Sequence, residues 1–290
     1  MSSWNDVQKY REKLLEWYSC LRPDIASALD LPSAPSYTSR ERTQRLKWSV
    51  VNYQLMTQKI SDLTLVLGIS VFDPRDLRHF KCQLEKRQVV PEFLGLGGQV
   101  PLMRVASETP EVGKQVVRNM YLLRKQFRNL PVHVYGAGDH RWYAMLRLMG
   151  ATSADYAGYV MIASKGGIVL PGTGPRFILK RVKVVTKKGV MFYTRPDEKL
   201  LKLEDFTQLV NCSCPICKCN DLFILEENRD YRIIHNLYVT LAQTALVDSY
   251  CNENDDRELI DYIKQMLLVK KNELRPVARY ALKLYLERGS

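Results

Sequence analysis

The stretch NCSCPICKCN, residues 211–220, crowds four of the chain's seven cysteines into eight residues, and a histidine follows at position 235. Cys212, Cys214, Cys217 and His235 form the pattern C-x-C-x2-C-x17-H. Three thiolates and one imidazole suit tetrahedral zinc, whose structural sites take four such ligands. The first three fit on one tight loop stiffened by Pro215, and the fourth opens the helix-like run IIHNLYVTLAQTALV. An ion held there pins a loop to a helix and leaves no open coordination position, so its expected role is structural. Cys219 is a spare thiol. A disulfide staple is the competing reading. The polar start MSSWNDVQKY is no signal peptide, and no apolar run approaches the ~18–20 residues of a membrane span. The expected location is therefore the cytoplasm (a host's, for a phage-encoded chain), where clustered cysteines bind metal before they pair.

Charge points to a partner. Lys and Arg number 43 against 31 Asp and Glu, a net charge of +12 and a pI of about 9.3. Such a surplus favours a polyanion, nucleic acid before membrane. The run RFILKRVKVVTKKGVMFYTR alternates apolar and charged residues about Lys188-Gly189, the pattern of a hairpin. It would offer Lys180, Arg181, Lys183, Lys187 and Lys188 to phosphates.

The rest of the chain alternates two periodicities. Helical spacing is seen over 4–21, in SRERTQRLKWSVVNYQLMTQKI, in PRDLRHFKCQLEKR, over 111–128 and in HRWYAMLRLMG. Short strands are expected at Ile25 to Leu29, at 63–72, in the segment running into EFLGLGG and in PVHVYGAG, with a β-like GIVL later. Strands alternating with helices argue for an α/β fold built of parallel β/α units. About five such strands precede the cysteines, whereas a closed (β/α) barrel needs eight. The expected division is a partial barrel over 1–178, followed over 179–290 by the basic hairpin, the zinc-binding subdomain and C-terminal helices.

Four segments, in order, resemble the tRNA-guanine transglycosylase superfamily, and most of all its archaeal type and the related DNA 7-deazaguanine transglycosylases. PDIASALDLP resembles a base-recognition strand, EFLGLGGQVPL a base-cradling loop, VHVYGAGDHRWYAMLRLMGATSADYAGYV the nucleophile segment, and NCSCPICK with IIHNLYV the zinc site. The resemblance implies a TIM-like barrel and a pentosyl transfer that exchanges guanine for a 7-deazaguanine base. It implies Asp155 as nucleophile and Asp30 as acceptor of guanine's N1–H and exocyclic amine. Gly97, Gly98, Gly136 and Tyr156 would line the substrate pocket. His133 and His140 flank the glycine loop and are given no catalytic role. Two departures stand out. The family's N-terminal Asp-Ser-Gly has no counterpart here, and Ile69-Ser70 replaces the usual glycines after a strand. The expectation is therefore an N-terminally truncated barrel, completed by a second subunit or a homodimer. DNA is expected as substrate ahead of tRNA, because no tRNA-specific appendage is visible.

Overall fold

The computed structural model describes residues 4–60, 62–171, 174–178, 181–186, 189–194, 200–219, 224–251, 255–268 and 273–289. Two compact units result. One comprises Met1–Ala137, Leu146–Asp155 and Pro276–Ser290, and the other Gly138–Met145 and Tyr156–Arg275.

In chain order the elements begin with α1 (Trp4–Leu21), β1 (Ile25–Ser27), α2 (Ser39–Thr57), β2 (Thr64–Ser70), α3 (Pro74–Arg87) and β3 (Phe93–Gly97). There follow α4 (Val100–Val105), α5 (Pro110–Gln126), β4 (Val132–Val134), α6 (His140–Leu148) and β5 (Ser153–Ala154). β1 to β5 form one parallel sheet in sequential order. That order is compatible with a TIM-like (β/α) fold; its first four strands are those expected, while the fifth is Ser153–Ala154 and the β-like GIVL instead pairs antiparallel in the second unit.

Helix boundaries follow local chemistry. Thr38 caps α2, its hydroxyl accepting from the Glu41 N–H at 3.2 Å while the Glu41 carboxylate accepts from the Thr38 N–H at 2.8 Å. Asp73 caps α3 at the Arg75 and Asp76 amides, and Pro74 occupies the first turn, where a missing N–H costs nothing. Arg42 on α2 ties both ends of that cap together, reaching Asp73 at 2.8 Å and the buried Asp76 at 3.1 Å. Parallel strands are covered on both faces, which is why β2 reads as a near-continuous apolar run. Leu65, Val66, Leu67 and Ile69 of β2, Leu94 and Leu96 of β3, and Val132 and Val134 of β4 are buried. Val50 and Met56 of α2, Phe80 of α3, and Val116 and Met120 of α5 are buried as well.

The second unit holds β6 (Gly167–Ile168) and β7 (Arg176–Phe177), paired antiparallel, and the hairpin β8 (Arg181–Thr186) and β9 (Gly189–Thr194). Thr186 pairs with Gly189, so the expected hairpin forms. Its helices are α7 (Gly158–Ser164), α8 (Leu203–Val210), α9 (Pro215–Cys219), α10 (Ile224–Glu227), α11 (Arg229–Ser249) and α12 (Arg257–Leu268), whereas α13 (Arg275–Gly289) belongs, but for its first residue, to the first unit. No helix among the described residues is long and apolar enough to cross a membrane.

One close approach in the sheet constrains the first unit. Gly95 on β3 has no side chain, and the Tyr135 ring occupies that space: a Cβ there would lie 2.5 Å from its Cε2. The ring thereby reaches over the sheet, and its hydroxyl meets Ser27 Oγ of β1 at 2.5 Å. Gly95→Ala is expected to cost about 1–3 kcal/mol in urea unfolding, as overpacking does. The cost should shrink in a Tyr135→Ala background, and a full cost retained there would show that the ring is not what Gly95 accommodates.

Candidate functional site

The predicted substrate residues of the first unit lie at or just beyond the C-terminal ends of its strands. Asp30 follows β1, Gly97 ends β3 with Gly98 after it, Gly136 follows β4, and Asp155 follows β5. In a parallel sheet these ends share one edge, where barrel enzymes carry their chemistry.

Asp155 is the most exposed of them, its side chain 57% accessible. One oxygen, Oδ1, accepts from the Gly136 N–H at 2.8 Å and lies 3.0 Å from His133 Nε2. The other face of that ring meets Ser153, with Nδ1 2.9 Å from Oγ. The hydrogen bond from His133, and after it the Gly136 amide, hold the Asp155 carboxyl below the usual carboxylate range against the opposing effect of burial. Gly136 has φ +73°, and a Cβ there would collide with Val100, so only glycine presents its amide in this way.

Asp30 has the opposite environment. Its side chain packs over Gly68 of β2, whose added Cβ would lie 2.9 Å from Asp30 Cβ. Burial raises its pKa, partly offset by its own backbone N–H. Two carboxylates on one sheet edge are thus driven apart in acidity, the pattern by which sites divide roles between like groups. Tyr135 lies in the field of both. Burial first, then Asp30 and Asp155, push its phenol up to about 12, so it stays protonated at neutral pH.

The Gly97-Gly98 pair separates into two cases. Gly98 has φ +74°, and a Cβ there would lie 2.8 Å from Phe72 Cζ, so the backbone itself demands glycine. Gly97 has no such demand: a Cβ there would meet only ordinary contacts, 3.5 Å and beyond. Its carbonyl is taken by the buried Gln99 side chain at 2.9 Å, which Asn119 holds in turn at 3.1 Å. This fixes the loop.

From sequence His133 is given no catalytic role, and Tyr135, Ser27, Gly68 and Gly95 are not singled out. The signal was the alternation Val-His-Val-Tyr at β4, which sets two polar rings on one face of a strand otherwise built of buried valines. His140, the other histidine of that loop, is buried, and burial pushes it down to about 4, so it is neutral. Tyr156 belongs to the second unit, folded over Gly158, where burial, then Asp139, raises its pKa. Arg181 and Lys183 fall on β8. Lys180, Lys187 and Lys188, and the side chains of all five basic residues, lie outside the described residues, as does the Cys219 side chain.

The ligand atoms of Cys212, Cys214, Cys217 and His235 lie within 4.8 Å of one another, a group able to hold a metal ion. His235 Nδ1 is 3.8 Å from Cys212 Sγ and 3.4 Å from the sulfurs of both Cys214 and Cys217. A tetrahedral ion with ordinary metal–sulfur and metal–nitrogen bonds separates its ligands by about 3.5 Å, so the donor set fits. The Nε2 atom lies 3.0 Å from the Val169 carbonyl, and donating to it fixes the tautomer whose Nδ1 lone pair faces the thiols. The next residue, Asn236, extends this anchorage, accepting from the Val169 N–H at 2.7 Å and donating to the Tyr159 and Gly167 carbonyls at 3.2 Å. Ile168, Leu170, Leu209, Ile216 and Leu225 pack around Cys214.

No family model matches the chain. Curated relatives do. A tRNA-guanine(15) transglycosylase of Methanosphaera stadtmanae is 25% identical over 266 residues, covering 90% of this chain and 35% of that protein. The enzyme so named from Archaeoglobus fulgidus is 24% identical over 265 residues, 89% of this chain and 48% of its own length. That of Methanococcus maripaludis strain C5 is 24% identical over 295 residues, 97% of this chain and 40% of its own. These relatives support the transglycosylase superfamily. The chain spans between about a third and a half of their length.

Protein purified without chelator is expected to carry one metal ion per chain by elemental analysis. Cys214→Ser, at a fully buried sulfur, should lose the ion and fold poorly, because metal-binding energy in such groups is folding energy. A wild-type chain that is metal-free and fully folded would contradict this.

Proposed function

We propose that the chain carries the base-exchange centre of a nucleic-acid guanine transglycosylase, with Asp155 as nucleophile. The observation that supports this most is the held but accessible carboxylate: Oδ1 of Asp155 is fixed by the Gly136 N–H at 2.8 Å and His133 Nε2 at 3.0 Å, while the side chain stays 57% accessible. Oδ2 attacks C1′ of the target guanosine through an oxocarbenium-like transition state, which a negative oxygen stabilises. The C1′–N9 bond breaks with its electron pair on guanine, which takes a proton from water. The incoming 7-deazaguanine base, giving up its N9 proton to water, attacks C1′ and returns the C1′–Oδ2 pair to Asp155. Two inversions restore the original linkage.

Asp30, half-buried against Gly68, suits recognition of the base. Its carboxylate can accept from N1–H and the exocyclic amine together, two donors that a buried acceptor needs in order to stay charged. Gly97 and the phenol of Tyr135 would lie beside the bound base, with the Tyr135 ring edge in contact range of Gly97. Gly98 and Gly136 join the proposed substrate set, and Tyr156, in the second unit, enters it only on the resemblance. The Cys212, Cys214, Cys217 and His235 group suits structural zinc, because four protein ligands leave no position for water or substrate. The basic hairpin would meet phosphates.

The relatives' names put tRNA first as the substrate. The expectation of DNA leaned on a missing appendage, and a chain covering under half of its relatives gives that absence no weight. Incorporation of labelled guanine into tRNA and into duplex DNA, side by side, tests the reading. Asp155→Asn should lower exchange by about three orders of magnitude or more and leave nucleic-acid binding nearly intact. Activity within about tenfold of wild type, ~1.4 kcal/mol of barrier, would refute the nucleophile.

A further inference from the structure

We propose that His133 is a positioning residue for base exchange: it holds Oδ1 of Asp155 so that Oδ2 meets the sugar, and it stabilises that carboxylate when it departs. The inference rests on the proposed role of Asp155.

The placement is a consequence of strand register. His133 of β4 pairs with Ser153 of β5, and Asp155, two residues on, returns to the same side. The ring is therefore set between Ser153 Oγ at 2.9 Å and Asp155 Oδ1 at 3.0 Å. Tyr135 packs edge-on against it, centroids 4.8 Å apart at 71°. Those contacts leave the imidazole little freedom to turn. A serine hydroxyl both donates and accepts. It serves neutral or protonated imidazole alike, so an N–H at Nε2 can face the carboxylate in either state.

The chemistry makes this contact asymmetric between the two displacements. When Oδ2 bonds to C1′, Asp155 becomes a neutral ester and Oδ1 its carbonyl oxygen. In the second displacement the C1′–Oδ2 pair returns to the carboxylate, and charge develops on both oxygens. A donor already aimed at Oδ1 lowers the barrier to that departure. Without it, Asp155 is a poorer leaving group, and the glycosyl-enzyme persists. A residue that merely supported the fold would alter stability or binding, not the balance between formation and breakdown of the adduct.

His133→Phe removes both nitrogens and keeps a ring. His133→Gln places an amide N–H near Nε2, whereas His133→Asn reaches only the Nδ1 position. Three readouts on the full chain decide the matter: exchange kinetics, the amount of denaturation-stable protein–nucleic acid adduct, and the ¹³C titration of the Asp155 side-chain carboxyl. The Phe and Asn variants are expected to lose roughly 10- to 100-fold in kcat, as for one hydrogen bond to a charged group, with KM for nucleic acid falling alongside because breakdown of the adduct limits turnover. Their adduct should accumulate and Asp155 should titrate at higher pH, while Gln restores most of each. Equal behaviour of Gln and Asn, or an unchanged Asp155 titration in Phe, overturns the proposal. If Phe fails to fold, the comparison of Gln with Asn still decides. A wild type that exchanges no base into tRNA or DNA overturns the proposed function instead, and the titration separates that failure from failure of the His133 contact.

Discussion

A parallel strand covered on both faces accepts polar side chains only where they find partners, and this constraint organises the first unit. β2 and β3 are apolar or glycine through most of their lengths, and the carboxylates appear where the strands run out. The pairing of His133 with Ser153 then does more than close the ladder. It brings an imidazole, a hydroxyl and a carboxylate into one hydrogen-bonded line at the sheet edge.

Space is arranged as deliberately as charge. Gly68 and Gly95 are register partners on adjacent strands, and each leaves room for a side chain from a different part of the unit. Asp30 lies over one and Tyr135 over the other. Glycine in a strand interior weakens the strand. Here the vacancy it leaves is filled by groups that carry the candidate chemistry. The contrasting acidities of Asp30 and Asp155 follow from that arrangement: one carboxylate is buried against the sheet, and the other projects beyond it to an imidazole and an amide.

The second unit solves a different problem. Its strands β6 and β7 are two residues each, too short to organise a core alone. The cysteine group supplies a centre instead. His235 and Asn236, adjacent on α11, are buried together, and both reach the backbone around β6. Arg232, one turn earlier, donates to the Ala163, Leu225 and Glu226 carbonyls. One helix face thus ties the short segments to the metal-ligand cluster.

Local chemistry made much of this legible from sequence. Alternating periodicities specified four of the five parallel strands and the main helices between them, because burial on both faces writes apolar runs and burial on one face writes a helical stripe; the two-residue β5 is too short to leave such a pattern. The hairpin turn and the cysteine pattern were equally readable, since turn conformation and ligand spacing are local demands. Asp30, Gly97, Gly98, Gly136 and Asp155 were recognisable as strand-end residues for the same reason. What sequence left unassigned was which neighbours they meet. Whether His133 faces Asp155, whether Tyr135 crosses to Ser27, and whether Gly68 clears space for Asp30 depend on strand register and on side chains 22, 108 and 38 residues apart. Pairings at such separations are fixed by the packing of the whole sheet, and no local pattern encodes them.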